Sequence, residues 1–341
     1  MGVESHGINQ LQTPALVFDL DILRFNIDTM ATMLPGARLR PHMKATKCTS
    51  LAKEQLRAGH TTFTCATPGE IIGMAHAGLG NDLLLANETL DTARLSAMAA
   101  LQDSSMITVA IDSDETLQAA AMAGIRNVLI DVNVGLPRCG CAPTDAGRLA
   151  DKARKLGIHV RGVMGYEGHL MMVLDKSERL AKVAESMQLL SAAAQDVGGT
   201  IISAGGTGTY DLHADTAVTE IQAGSYSLMD TQYAQHGFPF RQAAWIVGTV
   251  ISSNSSWSVV DVGLKSLGMD HGNPTIDGHS VWFCSDEHTT FSTPDGPPPS
   301  VGTRLRVTPA HIDPTIAMHA NAWVISDNTV VDQWAIDLRG W

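Results

Sequence analysis

The chain has 341 residues, 44% hydrophobic and 17% charged, the profile of a packed globular protein rather than a disordered or fibrous one. A net charge of −12, with no block of lysine and arginine to offset it, argues against nucleic acid as a partner. No apolar run is long enough to span a membrane, residues 1–6 carry no signal-peptide core, and Cys48, Cys65, Cys139, Cys141 and Cys284 form no CxxC pair, so a cytoplasmic protein with reduced thiols is expected.

In chain order, residues 13–20 read as an extended segment that fits either of the two modules that follow. From 37 to 226, short β-branched runs alternate with amphipathic helical stretches. Strands are expected at 37–42, 61–66, 82–86, 106–111, 127–132, 160–165, 200–204 and 220–224, with helices at 50–58, 70–77, 90–101, 115–123, 146–156 and 177–197. Eight strands with helical crossovers in about 200 residues fit a TIM-type (β/α)8 barrel. An open doubly wound sheet fits less well, because no G-x-G-x-x-G follows the first strand.

The first expected strand ends in Arg40-Pro41-His42-Met43-Lys44, with Lys47 just beyond. Pro41 biases Arg40 to an extended backbone and blocks an earlier helix, so Lys44 is presented at a strand end. A lysine among apolar residues and beside a second cation is suited to act as a neutral amine, the nucleophile a carbonyl cofactor needs. The competing reading is a solvated surface lysine.

Working residues of such barrels lie at the C-terminal ends of the strands. In order these are Lys44, Thr67, Asn87 and Glu88, Asp112, Asn133 with Arg138, Tyr166 with His169, Gly205-Gly206-Thr207-Gly208-Thr209, and Gly224-Ser225-Tyr226. The last two loops are glycine-rich, and their exposed N–H groups suit an anion. An amine and a phosphate cradle opening into one mouth together describe pyridoxal 5′-phosphate (PLP).

After residue 240 the runs 244–252, 256–262, 280–284, 304–309 and 322–336 are short and β-branched or alternating, with turn sequences between them and no helix-length periodicity. A C-terminal all-β domain is expected over 239–341, behind a barrel over 15–238, with residues 1–14 open to join the β-domain. In Pro309-Ala310-His311-Ile312-Asp313-Pro314-Thr315, positions i and i+2 of an extended strand share a face, so His311 and Asp313 are candidates to hold one cation. The alternative is a polar strand end. Two protein ligands leave room for water and substrate, which suits a catalytic metal.

Together these motifs resemble the D-threonine aldolase and D-serine dehydratase family, PLP enzymes with an alanine-racemase-like barrel and a C-terminal β-domain. The lysine motif resembles the one that carries the cofactor, which implies that role for Lys44. Gly135-Leu136-Pro137-Arg138-Cys139-Gly140 resembles the loop whose arginine approaches the cofactor ring. Gly205 to Gly208, followed by Glu220-Ile221-Gln222-Ala223-Gly224-Ser225-Tyr226, resembles the phosphate-binding pair of loops. This implies that Gly206, Thr207, Gly208, Gly224, Ser225 and Tyr226 contact the cofactor, with Tyr166 contacting it and taking part in catalysis. Asp261-Val262-Gly263-Leu264-Lys265-Ser266, Asp286-Glu287-His288 and Arg339-Gly340 are also similar to the family. Asp313 resembles the aldolase branch, since the dehydratases usually carry cysteine there.

Two departures stand out. Thr46 occupies a position where the family commonly has histidine, and Met172 stands where known aldolases carry one, six residues after the tyrosine; His169, closer to Tyr166, is the candidate base. The resemblance implies a lyase dependent on PLP and a divalent metal (Mn²⁺, Mg²⁺ or Zn²⁺), cleaving a D-β-hydroxy-α-amino acid to glycine and an aldehyde. The alternative is a dehydratase releasing ammonia and an oxo acid. A PLP-binding protein without turnover fits less well because those are lone barrels, and a racemase because it needs no metal. A homodimer acting on a small D-amino acid is expected, without nucleic acid or membrane.

Overall fold

The structure, a computed structural model, describes residues 7–340. It divides into two compact units that alternate along the chain. One is built mainly from 31–44 and 51–224, the other from residues up to 30, 45–50 and 225–339. The chain opens on β1 (Ala15–Asp19) and α1 (Leu20–Met33).

The first unit is the barrel. Parallel strands β2 (Thr62–Cys65), β3 (Asp82–Leu85), β4 (Ile107–Ile111), β5 (Asn127–Asp131), β6 (His159–Met164), β7 (Ile201–Ala204) and β8 (Glu220–Ile221) pair in sequence order. The eighth place is filled by residues 39–42, where Leu39 bridges Ile221 and His42 bridges Thr64. Arg40 N–H donates to Ile221 O at 2.9 Å, His42 N–H to Ala223 O at 3.1 Å, and Thr64 N–H to Pro41 O at 2.9 Å. These bonds close the ring. Residues 37–42, expected as a regular strand, begin instead in a 3-10 turn (Gly36–Arg38). Pro41 has no N–H to give to a ladder, so the segment forms bridges rather than a continuous strand.

The crossover helices are α2 (Thr49–Arg57), α3 (Pro68–His76), α4 (Thr92–Ala99), α5 (Asp114–Met122), α6 (Ala146–Lys155) and α7 (Lys176–Val197), each overlapping its expected stretch. Their starts are set by local chemistry. Thr67, Asp91, Ser113 and Asp175 each accept the N3 amide of the helix that follows. Inside the ring, Leu84, Ala110, Leu129 and Met164 pack together, one from each of β3 to β6.

The second unit adds α8 (Thr231–Ala234), β9 (Ala244–Ser253), β10 (Ser258–Val260), β11 (Thr275–Ile276), β12 (Ser280–Cys284), β13 (Thr289–Ser292), β14 (Arg304–Thr308), α9 (Ile312–Met318), β15 (Asn321–Ser326) and β16 (Thr329–Ala335). Its sheet runs β12-β13-β10-β9-β1-β15-β16, with β14 also on β9 and β11 on β14. The segment left open by the sequence thus joins this sheet, β1 lying antiparallel to β9 and parallel to β15. Its side chains Ala15 and Val17 pack with Leu11, Trp245, Val247, Ile325 and Val330.

One expectation needs correcting. Residues 309–315 are expected as a strand end, but His311 is extended (φ −135°, ψ 116°) and takes the N-cap position of α9, whose first turn holds Asp313. Pro314 suits a first turn, and seven residues are too few to show periodicity. His311 and Asp313 therefore sit at a strand-to-helix junction, not on one face of a strand. No described helix is long and apolar enough to cross a membrane.

Candidate active site

Lys44 lies in a 3-10 turn (Met43–Ala45) directly after the bridging segment, at the C-terminal end of the barrel. Its Nζ is 5.7 Å from the centroid of the Tyr166 ring, which stands two residues beyond the end of β6. Arg138, from the loop after β5, brings its Cζ to 5.4 Å from the same centroid. An amine and a guanidinium from two loops thus share one aromatic ring. His169 is exposed, on a 3-10 turn (Gly168–Leu170). Its ring lies over Gly135, where a Cβ would lie 2.8 Å from His169 Cε1, and the φ of 127° at Gly135 is one that favours glycine. Met172 is 36% exposed, whereas Met171 is buried.

The loop 205–208 is held from behind by Glu167, which is fully buried. Glu167 Oε1 accepts from Thr209 Oγ1 at 2.7 Å and His213 Nε2 at 3.1 Å, and Oε2 accepts from Gly205 N–H at 3.2 Å. Burial alone would raise this carboxyl, but the bonds and charge of His213 and the Thr209 bond hold it below its ordinary value. Gly206 and Gly208 pack on Met171: a Cβ on Gly206 would be 2.9 Å from Met171 Sδ, and one on Gly208 2.4 Å from Met171 O.

Between β3 and β5, burial and then the charge of Glu88 push the Asp131 carboxyl well above 3.8. Glu88 Oε1 is itself buried without a hydrogen-bond partner among the described residues. The nearby thiols are raised too, Cys139 to about 11 by burial and Glu88, and Cys141 to about 12 by burial and Asp131. Both stay protonated and make poor nucleophiles. All five cysteines are free.

In the second unit, His311 Nδ1–H donates to Asp270 Oδ2 at 2.7 Å. His271 stacks on His311 with centroids 3.9 Å apart and planes 5° from parallel. Asp270, His271 and His311 are grouped closely enough for a metal ion. However, imidazole lone pairs lie in the ring plane, and two stacked rings direct theirs along parallel lines that do not converge on one ion. Asp313 Oδ1 accepts from Ser225 Oγ at 2.9 Å, and Ile312 N–H donates to Asp230 Oδ2 at 3.1 Å. Burial raises Asp230 to about 6. Ser225 and Tyr226 belong to this unit, on a 3-10 turn (Ser225–Ser227), with the Tyr226 ring 5.6 Å from that of Phe240.

The sequence reading missed Glu167, His213, Asp131, Asp270 and His271. The Asp270-His271 pair is a visible signal beside a candidate ligand set, but its partner His311 lies 41 residues away.

Residues 18–232 match the family described as "Alanine racemase, N-terminal domain", and residues 243–325 match "Putative serine dehydratase domain". The chain is 32% identical over 355 aligned residues to D-threonine aldolase of Arthrobacter sp, an alignment covering 97% of this chain and 93% of that one. The crystal structure of D-threonine aldolase from Filomicrobium marinum superimposes with a TM-score of 0.93 at 31% identity, over 98% of this chain and 97% of the other. D-threo-3-hydroxyaspartate dehydratase from Delftia sp. HT23 gives a TM-score of 0.87 at 26% identity, over 98% and 100%. The chain therefore belongs to the alanine-racemase-like family that joins this barrel to a serine dehydratase domain, the family of D-threonine aldolase and the D-3-hydroxyaspartate lyases.

Proposed function

We propose that the protein is a PLP- and divalent-metal-dependent lyase that cleaves a D-configured β-hydroxy-α-amino acid to glycine and an aldehyde. The observation that carries this is the convergence of Lys44 and Arg138 on the Tyr166 ring, at 5.7 and 5.4 Å. The residues fit the cofactor. The donor set offers an amine, a guanidinium and an aromatic ring within one small space. Gly208 is buried, and its amide has no acceptor among the described residues, as an anion-binding loop requires. The donors of the second unit, imidazole and carboxylate, suit Mn²⁺, Mg²⁺ or Zn²⁺.

Lys44 would hold PLP, and Gly206, Thr207, Gly208 and Gly224 would receive its phosphate. Bound there, PLP supplies the electron sink that cleavage next to an amino-bearing carbon needs. Arg138, a guanidinium that only donates, would hydrogen-bond an acceptor atom of the cofactor. His169 takes the proton from the substrate's β-hydroxyl. His311, with Nδ1 committed to Asp270, would offer Nε2 to the metal beside the Asp313 carboxylate. When bound, that ion would supply Lewis-acid chemistry.

Incubation with a panel of D-β-hydroxy amino acids, with and without EDTA, tests the reading. Glycine and an aldehyde are expected, lost on chelation and restored by Mn²⁺. Ammonia and an oxo acid instead would make the protein a dehydratase, and full activity after exhaustive chelation would remove the metal. Borohydride followed by peptide mapping should find the cofactor on Lys44; attachment to Lys47 or Lys265 would overturn that role. The working form is a homodimer, which an active species with the mass of one chain would refute.

A further inference from the structure

Glu167 has no part in this mechanism, yet it is a fully buried carboxylate, a group that is costly unless paired and hydrogen-bonded. Three groups of one short stretch donate to it: Gly205 N–H at 3.2 Å, Thr209 Oγ1 at 2.7 Å and His213 Nε2 at 3.1 Å. Thr209 Oγ1 in turn accepts from Gly206 N–H at 3.3 Å. The carboxylate thus grips both ends of the loop that separates them, either directly or through one hydroxyl. On its other side the loop is blocked, since a Cβ on Gly206 would lie 3.3 Å from Tyr166 Cε2 and one on Gly208 2.4 Å from Met171 O.

A Gly-Gly-Thr-Gly segment left to itself samples many conformations. Each residue that must be ordered on binding costs roughly five- to thirty-fold in affinity. Backbone N–H groups attract an anion well only when they are already aimed.

We propose that Glu167, with Thr209 and His213, is a positioning device that holds the 205–208 loop as a preformed anion cradle, so that preference for a phosphorylated pyridoxal over an unphosphorylated one is set by a carboxylate that never touches the cofactor. This rests on the reading of that loop as the phosphate site. Glu167 sits next to Tyr166 in sequence, so the ring that Lys44 and Arg138 share and the loop behind it are fixed from one point at the end of β6.

The test titrates cofactor-free protein with PLP and, separately, with pyridoxal, followed by the absorbance of the lysine-bound cofactor. Wild type should prefer PLP. Thr209→Val removes the hydroxyl bridge at nearly constant volume, and it and Glu167→Ala should each weaken PLP about tenfold or more, as expected for loss of a charge-assisted hydrogen bond. Pyridoxal affinity should stay within about threefold, because nothing on that ligand addresses the loop. Thr209→Ser should restore the preference. If Glu167→Ala fails to fold, the Thr209 pair carries the test alone. PLP and pyridoxal weakening in the same ratio would reduce the network to a structural role and overturn the inference, as would unchanged PLP affinity. If wild type shows no preference for PLP, the cofactor reading fails instead.

Discussion

His169 stands exposed three residues beyond Tyr166, and imidazole is the side chain most often used to move a proton in general acid–base catalysis. His169→Ala should lower kcat by about 10²–10⁴ with cofactor and metal content unchanged. A loss of less than tenfold would pass the proton to another group and leave His169 as the residue that fills the space over Gly135. Asp270 acts at one remove. Its bond to His311 Nδ1 at 2.7 Å fixes the ring and commits that nitrogen, so Nε2 is the one that would be left for the proposed metal. Asp270→Ala should weaken Mn²⁺ binding about 10–100-fold by chelator competition, and His311→Ala should weaken it further. Equal affinity in wild type and Asp270→Ala would refute the orienting role. Lys44, Arg138 and Tyr166 were legible because each sits in a contiguous motif at a strand end. Asp270 and Glu167 were not, since their partners lie 41 and 46 residues away and the pairing exists only in the fold.

At the scale of elements, the clearest device is the bulge in β6. Val128 pairs with Val160 but Leu129 pairs with Gly162, so Arg161 is an extra residue in the ladder. Arg161 reaches Asp82 at 2.7 and 2.8 Å and Thr108 Oγ1 at 2.7 Å. Gly162 has φ 148°, and a Cβ there would sit 2.0 Å from Ile201 O, which is backbone of the neighbouring strand. Gly162→Ala should therefore cost about 3 kcal/mol or more in urea unfolding, beyond an ordinary surface change. A loss under about 1 kcal/mol would mean that β6 and β7 can separate there without penalty. The β-branched runs made β2 to β7 legible to within a few residues. The bulge left no trace because it changes the pairing and not the composition. α9 escaped for a different reason: one or two turns cannot display a helical period, and it starts directly after the histidine that ends a strand-like run.

At the scale of the whole barrel, the opposite end from Lys44 is tied by charge. Arg40, in the bridging segment, is 1% exposed. It donates to Glu220 at 2.7 Å and to Asp82 at 3.2 Å, and Arg161 meets Asp82 at 2.7 Å. Asp82 and Glu220 are the first residues of β3 and β8, so one network joins the segment that closes the ring to three strands at their N-terminal ends. That is the face on which such barrels keep stability rather than chemistry. Burial by itself would raise Asp82, but the Arg161 hydrogen bonds and the Arg40 charge outweigh it and hold the carboxyl below 3.8. A depressed carboxyl contributes stability that is fully present above its unfolded value and is lost as pH falls through the folded one. Stability should therefore hold down to about pH 4 and fall steeply below it. Asp82→Asn leaves Arg40 and Arg161 short of a charge partner and should cost about 3–5 kcal/mol at neutral pH. Because the variant no longer titrates there, its loss of stability between about pH 4 and pH 2 should be shallower than that of wild type. Urea midpoints measured across that range decide the matter: parallel slopes for the two proteins would show that the acid limb belongs to other carboxyls, and that the ring is not closed by this network.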